Sequence, residues 1–452
     1  MKEGLALSNA AETVINRLGE NGYEGYAVGG CVRDSLLGLV PNDFDVTTNA
    51  LPNEVLSLFK KDFTVVETGL KHGTVTVVID GEPIEVTTFR CDGDYLDGRH
   101  PEKVCFTRSL SEDLCRRDFT VNAMAYSESR GLIDLFDGKK DLEKGIIRTV
   151  GNPEDRFNED ALRILRALRF ASTYDFLIEE KTKNAIFKQK ESLTLLSAER
   201  IFSELKRLVT GKGAERILLE YSSVLAVILP EIKESIGFSQ CTPYHLYDVY
   251  THSVKTLAAC PPDTVLRLSA LLHDCGKPET FKETDGVGHF FGHASVSAEK
   301  TRAAMNRLKS DNATKDAVVT LVKYHDTDVQ ENEKNIKKWL GRLTPELFGR
   351  LIDLKIADNS AKTKESLERL KKYENIKKMA KDILEKEECF SLRQLKVNGS
   401  DLISIGFPKG REIGEMLNTL LEMVISGECE NERETLLNEA RRKISAKKTV
   451  MT

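Results

Sequence analysis

The chain has 452 residues, 40% of them hydrophobic and 30% charged, with a formal net charge of −5. That length exceeds one ordinary core and predicts two to four domains. No apolar run approaches the roughly 18 residues of a membrane span, and nine scattered cysteines without a CxxC read as free thiols in a reducing cytoplasm rather than as a disulfide scaffold.

The acidic balance does not advertise nucleic-acid binding. Residues 148–217 nevertheless hold 14 Lys+Arg against 11 Asp+Glu, which allows a local RNA-contacting face. The opening MKEGLALSNAAETVINRLGE lacks the basic start, apolar core and cleavage site of a secretory signal, and alternates like an amphipathic helix. Residues 23–150 then mix short β-rich runs with helices. FTVVET, GTVTVVI and EPIEVTTF are rich in Val and Thr and separated by turn residues, so each reads as a strand.

The stretch AVGGCVRDSLLGLVPNDFDVTT, residues 27–48, breaks a strand at Gly29-Gly30 and places Asp43 and Asp45 one residue apart. A glycine turn between strand and helix lets the backbone approach a triphosphate, with helix N–H groups facing it and Arg33 adding a charged donor. NDFDVTT reads as a strand, in which residues two apart share a face. Paired carboxylates there suit Mg²⁺, and Glu85 in IEVTTF is the candidate third ligand from a neighbouring strand.

Farther on come RRDFTVNAMA at 116–125 and EDALRILRALRF at 159–170. On a continuous helix over 156–171, Ala161, Leu162, Ile164, Leu165, Leu168 and Ala171 share one side, and Arg156, Asp160, Arg163, Arg166 and Arg169 the other. One reading of the charged side is a solvated face carrying an Asp160–Arg163 salt bridge. The other is chemical. An Asp acceptor beside an Arg donor matches the amine and ring-nitrogen pattern shared by cytosine and adenine, and mismatches uracil and guanine.

Together VGGCVRD, NDFDVTT, RRDFTVNAMA, EDALRILRALRF, SAERIFSEL and the tail NGSDLISIGFPKGREIGEML resemble the class II (CCA-adding) tRNA nucleotidyltransferase and bacterial poly(A) polymerase superfamily over most of the chain. The resemblance implies a multidomain α+β protein. A small mixed α/β head of the DNA polymerase beta type would be followed by an all-α body. It also implies Asp43, Asp45 and Glu85 as the catalytic carboxylates, with Mg²⁺ on the aspartates. Gly29, Gly30, Arg33, Arg117, Asp118, Asp160, Arg163, Arg166 and Arg169 would be nucleotide-binding. Arg117 would lie on the nucleotide, Asp118 at the ribose, and Arg166 and Arg169 near the triphosphate or base. The implied partners are CTP, ATP and tRNA, with neither DNA nor membrane. The segment CDGDYLDGRHPEKV, 91–104, resembles the flexible loop that members adding the terminal A require.

The body from about 151 onward is almost entirely helical in pattern, with Ser197 placed to cap one helix and Pro261-Pro262 and TDGVGHFFGH as punctuation. Six of the eight histidines fall between 245 and 325. His252, His273-Asp274, His293, His325-Asp326 and Asp358 on helical segments resemble the HD phosphohydrolase superfamily. That implies one or two divalent transition metals on His252, His273, Asp274, His293, His325 and Asp358, a water as nucleophile on a phosphate ester, and Lys277 assisting. The expected segments are a head at 1–150, a helical neck at 151–235, an HD domain at 240–360 and a tRNA-binding helical tail at 361–452. The alternatives are an A-adding enzyme, a poly(A) polymerase, an HD phosphohydrolase with a nucleotide-sensing head, and a tRNA-binding scaffold.

Overall fold

The computed structural model describes residues 5–92, 104–242, 246–362 and 367–450. Two compact units divide the chain. The first holds residues 1–230 with 307–309, and the second holds 231–306 with 310–452.

The first unit opens with α1 (Asn9–Glu20), whose N-terminus is capped by the Ser8 hydroxyl accepting from the Ala11 N–H. Its Ala11, Val14, Ile15 and Leu18 fall at helical spacing and are buried. Then follow β1 (Gly25–Val28), α2 (Gly30–Leu36), β2 (Asp45–Thr48), α3 (Pro52–Phe59), β3 (Thr64–Gly69), β4 (Thr74–Ile79) and β5 (Glu82–Thr88). A short antiparallel pair, β6 (Arg90–Asp92) and β7 (Val104–Phe106), brackets residues 93–103, so most of the candidate loop at 91–104 lies outside the described residues. After α4 (Leu110–Cys115) come β8 (Met124–Ser127), β9 (Gly131–Asp134) and α5 (Gly138–Lys144).

Seven strands form one mixed sheet in the order β3-β4-β5-β2-β1-β8-β9. Only β2 and β5 run parallel. Alternation sets its core: Val75, Val77, Ile79, Ile84 and Val86 are buried while Glu85 stays exposed. Between β1 and α2 the chain turns at Gly29, with φ of +77°. A Cβ there would also stand 3.0 Å from an Arg117 nitrogen, so strain and space both favour glycine.

The rest of the first unit holds β10 (Ile146–Ile147), α6 (Pro153–Glu159), α7 (Leu162–Tyr174), β11 (Leu177–Ile178), α8 (Glu180–Gln189), α9 (Ala198–Val209), α10 (Ala214–Glu220) and α11 (Ser222–Ile228). The expected continuous helix over 156–171 is two helices. Asp160 is extended, at φ −148° and ψ 105°, and its carboxylate accepts from the Leu162 N–H at 3.0 Å. Aspartate competes for backbone donors in this way, so it caps a new helix rather than continuing the old one. Ser197 does stand at the N-terminus of α9, but its side chain makes no capping hydrogen bond.

The second unit is helical: α12 (Val249–Ala259), α13 (Thr264–Leu272), α14 (Lys277–Thr280), α15 (His293–Arg307), α16 (Asn312–Tyr324), α17 (Glu333–Arg342), α18 (Pro345–Ser360), α19 (Leu367–Glu385), α20 (Gly399–Ser404), α21 (Arg411–Ile425) and α22 (Arg433–Val450). The near-uniform helix expected after residue 151 has two small exceptions. These, among the described residues, are β11, paired in parallel with β10, and a hairpin of β12 (Lys282–Thr284) with β13 (Val287–His289), which occupies the Gly-rich punctuation before α15. Helices α12, α13, α16 and α18 pack on one another. Toward the end, Asn398 and Asp401 form a capping box on α20, and Leu402, Leu420, Leu436 and Ala440 close a separate apolar core. No helix among the described residues is long and apolar enough to cross a membrane.

Candidate functional site

The first cluster sits at one end of the β2–β5 pair. The parallel register places Asp45 opposite Glu85. Both are exposed, while their neighbours Val46 and Val86 are buried, so the two carboxylates share a face. Asp43 is exposed and precedes the strand rather than lying within it. Desolvation, then the charges of Glu85 and Asp43, push the Asp45 carboxyl up to about 6, against the pull of Arg117. Carboxylate oxygens of this kind are the donor type that a hard divalent cation such as Mg²⁺ takes.

Behind this face lies a network the sequence reading missed. Asp113, in α4, is fully buried. It accepts from Arg116 Nε and Nη2 at 3.0 and 2.8 Å, from the Thr47 hydroxyl at 3.1 Å and from Arg117 at 3.5 Å. Burial opposes its charge, but Arg116 and Arg117 outweigh that and hold its carboxyl below the ordinary range. Asp113 therefore ties Arg117 to the strand that carries Asp45.

Arg33 is buried. It donates to Asp34 at 2.9 Å and to Asn122 Oδ1 at 2.5 Å, and its guanidinium lies 5.0 and 4.9 Å from the Phe170 and Tyr174 rings. The Tyr174 hydroxyl donates to Asp34 at 2.8 Å. Asp118 is equally engaged. Its Oδ1 accepts from the Phe119 N–H at 2.8 Å and from Asn122 Nδ2 at 3.0 Å, and its Oδ2 accepts from Arg166 Nε at 2.7 Å. Burial raises the Asp118 carboxyl, but Arg166 and Asn122 prevail and bring it down to about 2. Asn122 thus bridges Arg33 to Asp118. It stands inside the RRDFTVNAMA motif, and its burial was the missing signal.

Asp160 and Arg163 do not pair with each other. Asp160 Oδ2 accepts from Arg200 at 2.6 Å, and Arg163 donates to Glu159 at 2.5 Å and to the Arg156 and Arg116 carbonyls at 3.1 and 3.0 Å. The charged side is not a solvated face either, since Arg163 and Arg169 are buried. Arg169 donates to Glu204 at 2.6 Å, with its guanidinium 3.6 Å from the Phe170 centroid. Glu159 lies in the EDALR motif and was passed over. Arg200 is 40 residues away, in the SAERIFSEL stretch.

In the second unit all six expected HD residues converge. His252 is on α12, His273 and Asp274 follow α13, His293 opens α15, His325 follows α16 and Asp358 is on α18. All six are buried. His273, His293 and His325 each donate Nδ1–H to the carbonyl three residues earlier, at 2.7, 2.8 and 2.6 Å. At His293 and His325 this leaves Nε2 as the inward lone pair, whereas at His273 burial is outweighed by Asp274 and Asp358, which raise the imidazole to about 9. His252 Nε2 is 2.9 Å from Asp358 Oδ1, His273 Nε2 is 3.1 Å from Asp274 Oδ2, and His293 Nε2 is 3.2 Å from His325 Nε2. Two ring lone pairs 3.2 Å apart repel unless a cation lies between them. Ligand atoms of His252, His273 and Asp274, and again of Asp274, His293 and His325, lie within 4.8 Å of one another. Burial opposes charge on Asp274 and Asp358. His273 and Lys277 for the first, and Lys362 and His252 for the second, hold both carboxyls well below the ordinary range. Imidazoles and carboxylates in this mixture suit a transition metal.

Comparison with known proteins covers both units. Family models match as "Poly A polymerase head domain" over residues 25–148, "Probable RNA and SrmB-binding site of polymerase A" over 175–236, and a tRNA nucleotidyltransferase domain 2 over 282–440. A CCA-adding enzyme of Ligilactobacillus salivarius is 33% identical over 96% of each chain, and one of Pediococcus pentosaceus 34% over 95% of this chain and 96% of its own. The crystal structure of the Bacillus stearothermophilus CCA-adding enzyme in complex with CTP superposes with a TM-score of 0.69 at 28% identity, covering 97% of this chain and 98% of that one. The Thermotoga maritima CCA-adding enzyme complexed with tRNA, at 22% identity and a TM-score of 0.57 over 96% of this chain and 95% of its own, shares the fold. Similarity that runs the length of both partners, over a sheet presenting Asp45 beside Glu85, leads to one conclusion: the chain belongs to the family of CCA-adding enzymes.

Proposed function

We propose that this protein adds C and A nucleotides from CTP and ATP to the 3′ end of tRNA, building and repairing the terminal CCA and releasing diphosphate, in the cytoplasm with its substrate. The observation that carries this reading is the register of Asp45 on Glu85, with Asp43 beside them and the Gly29 turn on the adjacent strand. Mg²⁺ held by Asp43, Asp45 and Glu85 would polarise the α-phosphate and acidify the RNA 3′-hydroxyl. The chain's own groups do the rest. Gly29 and Gly30 let backbone approach the triphosphate, and Arg117, braced by Asp113, adds positive charge beside Asp45. Arg33, Asn122, Asp118 and Arg166 form one buried chain of hydrogen bonds that fixes the floor under the nucleotide.

Base choice falls to Asp160 as acceptor and Arg163 as donor. Arg200 and Glu159 hold each side chain in a single orientation, which keeps a mismatched base from being accommodated. Arg166 and Arg169 act beside them, the first through Asp118 and the second through Glu204. Helical surface around these groups binds tRNA by backbone and shape, which needs few base contacts.

Stepwise extension tests the reading: tRNA ending before CCA, CA or A is incubated with CTP or ATP alone. Addition of two C residues from CTP, followed by A from ATP, is expected. ATP runs without C addition would mark a poly(A) polymerase, and A addition only to the CC-ended substrate would mark an A-adding enzyme.

A second reading rests on the convergent Nε2 atoms of the second unit. His252, His273, Asp274, His293, His325 and Asp358 hold a divalent transition metal and serve a phosphohydrolase for 2′-phosphate or 2′,3′-cyclic phosphate ends. Elemental analysis of the purified protein, with and without chelation, tests the metal. Phosphate release from 2′-AMP tests the chemistry.

A further inference from the structure

The cavity in front of the histidine cluster extends well past the ligands. It measures about 500 Å³ and is lined at its floor by Asp274, His325 and Asp358 and at its rim by the β12–β13 hairpin and the residues after it. That volume matches a small organic ligand rather than a bare phosphate. Three cations face it. Lys277 pairs with Asp274 at 2.7 Å, Lys362 pairs with Asp358 at 2.6 Å, and Arg369 is exposed.

The rim is built to hold one aromatic ring outward. Phe290 packs on Phe281 at 5.5 Å, and Phe281 on Phe238 at 5.4 Å, so the hairpin is fastened from beneath. The Gly288 N–H donates to the Cys241 carbonyl at 2.8 Å, and a side chain at Gly288 would collide with the Gln240 carbonyl. Phe291 points away from this anchor and is 78% exposed. His289 stacks on one of its faces, with centroids 5.5 Å apart and planes 6° from parallel. Phe291 lines the same cavity as Asp274, His325 and Asp358. A solitary exposed Phe is ordinary surface. One that is stacked, anchored and set at the mouth of a cationic pocket has the form of a platform for a planar ring.

We infer that Phe291, backed by His289, is the nucleobase platform of this pocket, so that the site selects nucleoside phosphates over phosphate esters without a base. The phosphate lies among the metal ligands, Lys362 and Arg369, and the base lies on the face of Phe291 opposite His289. This deepens the second reading above and rests on it for the position of the phosphate.

The test compares 2′-AMP with glycerol 2-phosphate, using the full chain with manganese and no other nucleotide. Calorimetric affinity and phosphate release are both measured for wild type, Phe291→Ala and Phe291→Trp, with melting temperature as the check on folding. Phe291→Ala is expected to weaken 2′-AMP binding roughly tenfold, Phe291→Trp to restore it, and neither to change glycerol 2-phosphate. Equal loss for the two ligands, or unchanged 2′-AMP affinity in Phe291→Ala, overturns the platform. If wild type binds 2′-AMP without releasing phosphate, hydrolysis fails as a reading, while the platform still stands or falls on the affinity difference.

Discussion

The two units each gather a cluster suited to divalent metal, and they hold it in opposite ways. In the first, Asp43 and Asp45 stand exposed at a strand end beside Glu85 and repel one another, with Arg117 as a nearby counter-charge. In the second, six candidate ligands are buried and braced by Lys277, Lys362 and backbone carbonyls. The difference is one of solvation. Asp45 is partly desolvated and repelled by its neighbours, so an arriving metal relieves that repulsion and can leave with the nucleotide. The buried carboxylates of the second unit carry a desolvation penalty that the protein offsets permanently with fixed cations. The first arrangement suits a site that exchanges a metal–triphosphate complex every turnover, and the second a resident ion.

Substitutions break this contrast in order of size. Asp43→Ala with Asp45→Ala should lower incorporation of labelled CMP by roughly a thousandfold or more, since transition-state charge loses several kcal/mol of stabilisation. Its melting temperature should hold or rise, because the pair repel in the free protein. Asp274→Asn should do the reverse to stability. Lys277 is left buried without a counter-charge, so urea unfolding should show a loss of about 3 kcal/mol, and bound transition metal should vanish from elemental analysis. Retention of both metal and stability in Asp274→Asn would refute the account of the second cluster.

Asp160→Ala should keep the fold, at a cost of about 1 kcal/mol for the lost cap on Leu162. Its preference for CTP and ATP over UTP and GTP should fall by roughly a hundredfold. Discrimination equal to wild type would move base choice elsewhere.

The smallest effect concerns pH. The Asp118 carboxyl is depressed to about 2 in the folded protein. Its contribution of about 2 kcal/mol is therefore full above the ordinary carboxylate pKa near 3.9 and is lost as pH falls through about 2. Denaturant midpoints of wild type and Asp118→Asn should differ at pH 6 and converge near pH 2.

Much of the candidate site was legible where local periodicity carries the information. Strand alternation pointed to Asp45 and Glu85, and the glycine turn was recognisable because few residues tolerate the φ of Gly29. The His and Asp residues expected to cluster do converge, although their spacing alone carried no distance. Reading residues 156–171 as one helix went wrong at Asp160, where 3.6-residue spacing survives a break that a single capping carboxylate creates. The salt bridge that one of the two readings drew is absent, and the partners of Asp160 and Arg163 are Arg200 and Glu159.

The sequence by itself determined which segments become strands or helices and which donor atoms the protein owns, because propensity, alternation and glycine chemistry act within a few residues. Tertiary structure alone decided how those donors are spent. Arg33 meets Asn122 and Tyr174 meets Asp34 across about 90 and 140 positions, and His252 meets Asp358 across 106. No local pattern encodes such pairs. They follow from how the sheet and helices pack, since a buried charge takes whatever partner the packing brings within reach.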